Sequence, residues 1–320
     1  MSFLDTRALR IHYEQAGSGP APFVLVHGNF ASWRWWKPVL RRLPPGLRAY
    51  AMDLRGCGAT QAPSGDSGSL FAIPQLASDL HDFQEALGLP PFHLVGHSLG
   101  GAVALEFALR HPLRVRSLTL VAPPPSAGLA AMRQGNSRSA RLLRRIDPEH
   151  DPSMRALRQA YRLQQALGTN RVTLRRALAE MMPTAPLEGR QFESLLDDAA
   201  RMSPDAMVGF LQALHRWNVE DELRSLRVPT LILSGGKDVL VPTATLAPMA
   251  QMLPRGELLV WPDVGHSPQL EQPDAFVDLL SASAKRSPVM RLRTWLWGVG
   301  QRMNGAPDLL AGFDESMGAE

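Results

Sequence analysis

A serine hydroxyl attacks at neutral pH only if a general base takes its proton, an acid orients that base, and fixed donors meet the oxyanion that forms. Ser98 has the neighbours for such a role. It is the centre of Gly96-His97-Ser98-Leu99-Gly100, with a short apolar run (92–95) before it and an Ala- and Leu-rich segment of helical period (99–110) after it. Glycines at 96 and 100 allow a strand to reverse into a helix with little steric room, leaving the apex side chain exposed on strained backbone. The partners must come from far along the chain. Asp238 follows the apolar run 231–234 through Gly235-Gly236-Lys237, and His266 follows the run 257–261 through Pro262-Asp263-Val264-Gly265. Each therefore lies just past the carboxyl end of an expected strand, where sites on open parallel sheets are built.

The elements that must position these residues alternate regularly. Residues 7–15 read as an antiparallel pair or edge strand, 22–26 as a compact apolar strand running into His27-Gly28-Asn29, and 48–52 as a third strand closed by Asp53-Leu54-Arg55-Gly56-Cys57-Gly58. Ser32 caps an expected helix with Trp33, Trp36 and Val39 on one side, and 74–87 shows helical spacing through Leu76, Leu80, Phe83 and Leu87. With a further strand at 115–122, the rhythm implies right-handed crossovers and a mostly parallel sheet covered by helices on both faces. Pro123-Pro124-Pro125 stops it. From there to about Arg227 only helical segments are read (139–146, 154–167, 172–181 and 204–214). Residues 1–123 and 228–286 are thus the core, 124–227 an inserted helical cap, and 287–320 a C-terminal extension.

Composition narrows the classes. The chain has 320 residues, 45% hydrophobic and 20% charged, which is ordinary for a globular enzyme-sized protein. Its formal charge of +4 falls within the insertion, densest at Arg141, Arg144 and Arg145, without a long basic run, so a solvated helix face is expected and nucleic acid is not an expected partner. One cysteine excludes an internal disulfide and a Cys-rich metal site. No histidine, cysteine or carboxylate cluster has ligand spacing and no G-x-G-x-x-G opens a helix after the first strand, so neither metal nor organic cofactor is expected. No apolar run reaches the roughly 18 residues of a membrane span, and the N-terminus lacks a basic region followed by an apolar core, which makes the expected setting cytoplasmic. In the extension Val289, Leu292, Trp295, Leu296 and Val299 share one side of a possible helix, and self-association or docking on the core is the expected use.

Serine, aspartate and histidine arrive in that chain order, and the segments HGNFAS, DLRGCG, GHSLGG, GGKD and VGHSPQLEQP stand in register. Over roughly residues 5–285 the chain resembles the α/β-hydrolase fold family, in which the triad follows this order. The resemblance implies Ser98 as nucleophile, His266 as general base and later acid, and Asp238 as the carboxylate orienting the imidazole. It also implies an oxyanion hole from the backbone N–H groups of Asn29 and Leu99. Phe30 and Trp217 are expected to contact substrate. Cys57 departs from the histidine common at its place in the D-x-R-G-x-G loop.

His27 and His97 lie in glycine loops where the family uses histidine structurally. Asp263 is the rival acid, read as a turn residue of the loop that presents His266. Cys57 has no base placed for it and is read as a loop residue. Asn29 resembles the halide-binding asparagine of haloalkane dehalogenases, but those enzymes use an aspartate nucleophile, and Ser98 disfavours both them and epoxide hydrolases. The expected activity is hydrolysis of a small, largely apolar carboxylic ester or lactone through an acyl-enzyme. Carbon–carbon bond hydrolysis, thioester hydrolysis, acyl transfer, cofactor-free haloperoxidase chemistry and a noncatalytic accessory role are the alternatives.

Overall fold

The computed structural model describes residues 2–61, 67–129, 144, 148, 150–186 and 188–285. Eight strands form one sheet in the order β1-β2-β4-β3-β5-β6-β7-β8: β1 (Ser2–Asp5), β2 (Arg10–Gly17), β3 (Pro22–Val26), β4 (Arg48–Met52), β5 (Phe92–His97), β6 (Val115–Val121), β7 (Thr230–Gly235) and β8 (Gly256–Trp261). β1 and β2 pair antiparallel, and so do β2 and β4. Every other pairing is parallel. Of the two readings of 7–15, an antiparallel pair or an edge strand, the pair is found, with β1 placed ahead of that segment.

Period-2 alternation sorts the strand side chains into two cores. Val24, Val26, Leu94, Leu118, Leu120 and Ile232 face one side, and Phe23, Leu25, Val95, Val121, Leu231 and Leu233 the other. Strands buried on both faces read as continuous apolar runs because each face needs its own cover. On the first side lie α3 (Ile73–Ala86), burying Leu76, Leu80 and Phe83, and α4 (Leu99–Arg110), almost wholly buried. On the second lie the short α1 (Lys37–Leu40), with Val39 and Leu40, and the last described helix, α11 (Pro273–Lys285), with Phe276, Val277, Leu279 and Leu280. Full burial of each such side chain contributes about 1.5–3 kcal/mol. The helix after Ser32 begins as a 3-10 turn (Trp33–Trp36) rather than an α-helix, with the Ser32 hydroxyl accepting the Arg34 N–H at 3.1 Å. The loop after β4 holds a short helix, α2 (Ser67–Leu70).

Between β6 and β7 the described secondary structure is helical: α5 (Asp151–Ala166), α6 (Asn170–Met181), α7 (Gly189–Arg201), α8 (Pro204–Arg216) and a 3-10 turn at Leu223–Ser225. Two further short helices, α9 (Ala247–Met252) and α10 (Pro268–Glu271), follow β7 and β8. Helices α5 and α7 meet the segment after β3 at defined points. Ser32 Oγ donates to Asp198 of α7, whose other oxygen pairs with Arg34 Nη1 at 2.7 Å, and the Phe30 ring meets Tyr161 of α5 at 6.1 Å. Arg141, Arg145 and most of 139–146 lie outside the described residues, as does the extension expected to self-associate.

Candidate active site

The junction between β5 and α4 explains both glycines of the elbow. A Cβ on Gly96 would stand 2.1 Å from the Gly100 carbonyl oxygen, and one on Gly100 would stand 2.4 Å from the Val26 carbonyl oxygen, so strand, turn and helix close only without side chains there. Ser98 pays the conformational cost at φ 51°, ψ −122°, in a region that L residues rarely adopt, and is half-buried. Its N–H donates to Val121 O at 2.9 Å, which ties the apex to the end of β6.

Asp238 and His266 are brought together by the loops after β7 and β8. A Cβ on Gly235 would meet the Gly265 carbonyl oxygen at 1.9 Å, so the two loops touch backbone to backbone. Asp238 Oδ1 accepts the N–H groups of Leu240 and Val241 at 2.8 and 3.0 Å, leaving Oδ2 for His266 Nδ1 at 2.8 Å. An ionised carboxylate only accepts, so Nδ1 carries the proton and Nε2 keeps its lone pair. Both side chains are buried. The elbow reaches the histidine through its own preceding residue: His97 Nε2 donates to the His266 carbonyl at 2.9 Å, and the two rings stand 5.1 Å apart. Among the described residues Ser98 Oγ forms no hydrogen bond.

Burial holds His97 well below the usual histidine range, so it stays a neutral donor stacked on Trp35 at 5.5 Å. Burial likewise lowers His27, whose Nε2 accepts the Leu54 N–H at 3.0 Å while Nδ1 donates to Gly28 O at 2.7 Å. These two rings shape loops. Cys57 is buried and its thiol is pushed well up by desolvation, away from thiolate. Asp263 is exposed and pairs with Lys237 Nζ at 3.3 Å.

The remaining sequence candidates are placed as follows. Leu99 opens α4, so its N–H has no intrahelical acceptor. Among the described residues the Asn29 backbone N–H has no partner either, while the Asn29 side chain accepts the N–H of Phe30, which sits at φ 56°. Phe30 is half-buried at the seam with the insertion. Trp217 is buried, and its one donor, Nε1, is taken by Glu106 Oε2 of α4 at 2.9 Å; that edge is not free for a ligand. Sequence reasoning missed Met181, Thr184 and Glu271, which hold the His266 loop. Glu271 stood within a segment already noted, whereas nothing in 181–184 signals contact with it. No group of three or more histidine, cysteine, aspartate or glutamate side chains among the described residues is placed to hold a metal ion, and no described helix is long and apolar enough to cross a membrane.

A family model of the alpha/beta hydrolase fold matches residues 21–273. The chain belongs to the α/β-hydrolase fold family. It is an enzyme of that family, and its relatives include esterases and other hydrolases. It is 28% identical over 263 residues to a 2-hydroxy-6-oxo-2,4-heptadienoate hydrolase of Pseudomonas putida, covering 81% of this chain and 87% of the relative. It is 27% identical over 276 residues to a pimeloyl-[acyl-carrier protein] methyl ester esterase of Vibrio vulnificus, covering 86% and 98%. Among solved structures it resembles an esterase from Exiguobacterium antarcticum, at a TM-score of 0.69 and 22% identity, over 89% of this chain and 99% of that one. This last likeness shows the fold.

Proposed function

We propose that this α/β-hydrolase is a serine hydrolase that cleaves a small, largely apolar carboxylic ester or lactone through an acyl-enzyme. The observation that carries the reading is the Asp238–His266 hydrogen bond, whose histidine is tied through its carbonyl to His97, the residue before a serine at positive φ on a strand–turn–helix elbow. His266 Nε2 takes the Ser98 hydroxyl proton as Oγ attacks the carbonyl carbon. The N–H groups of Asn29 and Leu99 stabilise the oxyanion of the tetrahedral intermediate. Collapse expels the alkoxide, which leaves with the proton from His266. Water, deprotonated by the same imidazole, then attacks the acyl carbon and frees Ser98. Asp238 fixes the tautomer and stabilises the imidazolium.

Residues 124–227 act in this reading as the cap over the site, and Phe30, half-buried with its ring against Tyr161 of α5, favours an apolar acyl group. No metal or organic cofactor enters. Carbon–carbon bond hydrolysis is the second reading, favoured by the likeness to the heptadienoate hydrolase. Rapid mixing with an activated short-chain ester tests the first: a burst of alcohol stoichiometric with enzyme is expected, followed by slower turnover. Turnover of a vinylogous diketone with no burst or turnover on esters or lactones would move the assignment to the second reading.

A further inference from the structure

The loop that carries His266 is held by more than Asp238. Glu271, the last residue of α10, turns its carboxylate back onto that loop. The Gly265 N–H donates to its Oε1 and Oε2 at 2.9 and 3.0 Å, and the Ser267 N–H donates to Oε1 at 3.2 Å. One carboxylate therefore grips the residues on either side of His266. Its Oε2 also accepts from Thr184 of the insertion, from the backbone N–H at 3.2 Å and the hydroxyl at 2.7 Å. Three residues earlier, the Met181 carbonyl accepts the N–H of His266 itself at 2.7 Å.

Four donors from two parts of the chain converge on Glu271, and a carboxylate suits them because it only accepts and has about four lone-pair sites. An amide would keep one accepting oxygen and turn two N–H groups toward donors. The His266 backbone meanwhile is fixed on one side by the insertion, through Met181, and on the other by the elbow, through His97. We propose that Glu271 is a positioning residue for His266, and that through Thr184 it makes the aim of the imidazole depend on the seating of residues 181–184. The proposal rests on reading His266 as the general base. A displacement of about 1 Å in such a group costs up to about a hundredfold in rate.

The test uses the full chain as wild type and as Glu271→Gln, Glu271→Asp and Thr184→Val. Two quantities are read per folded molecule: the second-order rate of Ser98 modification by a fluorophosphonate, and kcat and KM on an activated short-chain ester. Glu271→Gln is expected to lower the modification rate and kcat together by about 10–100-fold with KM within about threefold, and Glu271→Asp, which keeps the charge, to recover part of the loss. Thr184→Val, lacking only the hydroxyl donor, is expected to lose about 2–5-fold. A merely structural glutamate would change the folded fraction and leave these rates alone. If Glu271→Gln does not fold, Glu271→Asp carries the same test. Wild-type rates in the folded variants, with the wild-type protein itself modified at Ser98, would overturn the positioning role alone. A wild-type protein that resists the reagent would overturn the serine-hydrolase reading and this inference with it.

Discussion

Among the described residues two histidine–aspartate pairs lie buried, and by distance they are nearly alike: His266 Nδ1 to Asp238 Oδ2 is 2.8 Å, and His12 Nδ1 to Asp53 Oδ2 is 2.7 Å. Their surroundings differ. Asp53 also accepts the Trp33 N–H at 2.7 Å and the Ala59 N–H at 3.0 Å. His12 donates its N–H to Thr60 Oγ1 and accepts the Asp53 N–H, both at 2.9 Å. Its far ring nitrogen faces Glu14 at 3.7 Å. This pair laces β2 to the loop after β4. The carbonyl of His266, by contrast, is held by the residue preceding Ser98. A short His–Asp contact thus does not by itself mark a catalytic dyad, and the proposed one differs from the other in what stands beyond the imidazole.

The contrast breaks most sharply at the carboxylates. Asp238→Asn should leave the fold intact and cost on the order of 10⁴ in kcat, since it withdraws the acceptor that sets the imidazole tautomer. Asp263→Asn should change kcat by less than about twofold, because its carboxylate only forms an exposed pair with Lys237. Steady-state kinetics on the two variants checks this. A silent Asp238→Asn beside a crippled Asp263→Asn would make Asp263 the acid.

The structural pair should answer in the opposite way. His12→Ala leaves the Asp53 carboxylate buried with only part of its hydrogen bonding, and is expected to lower stability by about 2–4 kcal/mol in denaturant unfolding while kcat per folded molecule stays within about threefold. Unchanged stability with lost activity would reverse the two roles.

How much of this was legible in the chain follows the same division. Strand ends are set by local apolar runs, so the sequence marks β3, β4 and the elbow almost to the residue and makes Ser98, Asp238 and His266 candidates by their places past those ends. The β1 strand escaped because its pairing with β2 is decided by tertiary contact at a sheet edge. The helix Gly189–Arg201 was not marked out in the sequence, yet Asp198 on it reaches Ser32 and Arg34 across more than 160 positions. His12–Asp53 and the Glu271 cluster were invisible for the same reason: no local pattern encodes a hydrogen bond that only the closed sheet creates. The sequence offers Trp217 to substrate, whereas in the fold its indole N–H is held by Glu106.

A buried histidine without a carboxylate sharpens the comparison further. His93 stacks on Phe23 at 4.7 Å, and burial, then the charge of Arg116, lowers its pKa to about 4. In the unfolded chain it titrates near about 6.5, so between those values the unfolded state binds the extra proton and stability falls as pH drops. At pH 5 the loss from this group is on the order of 2 kcal/mol. His93→Gln should flatten the stability profile between about pH 6.5 and 4 by that amount, as read from denaturant midpoints across the range. An equally steep profile in the variant would place the dependence elsewhere, His97 being the next group with the same sign.

In the proposed reaction Ser98 forms the covalent intermediate. The direct test is peptide mapping of the protein quenched during turnover of an activated short-chain ester, with Ser98→Ala alongside. The account predicts a stoichiometric acyl adduct on the peptide containing Ser98, and in Ser98→Ala no adduct and a loss of several powers of ten in kcat/KM with the fold unchanged. An adduct on another residue, or Ser98→Ala activity within about tenfold of wild type, would contradict it.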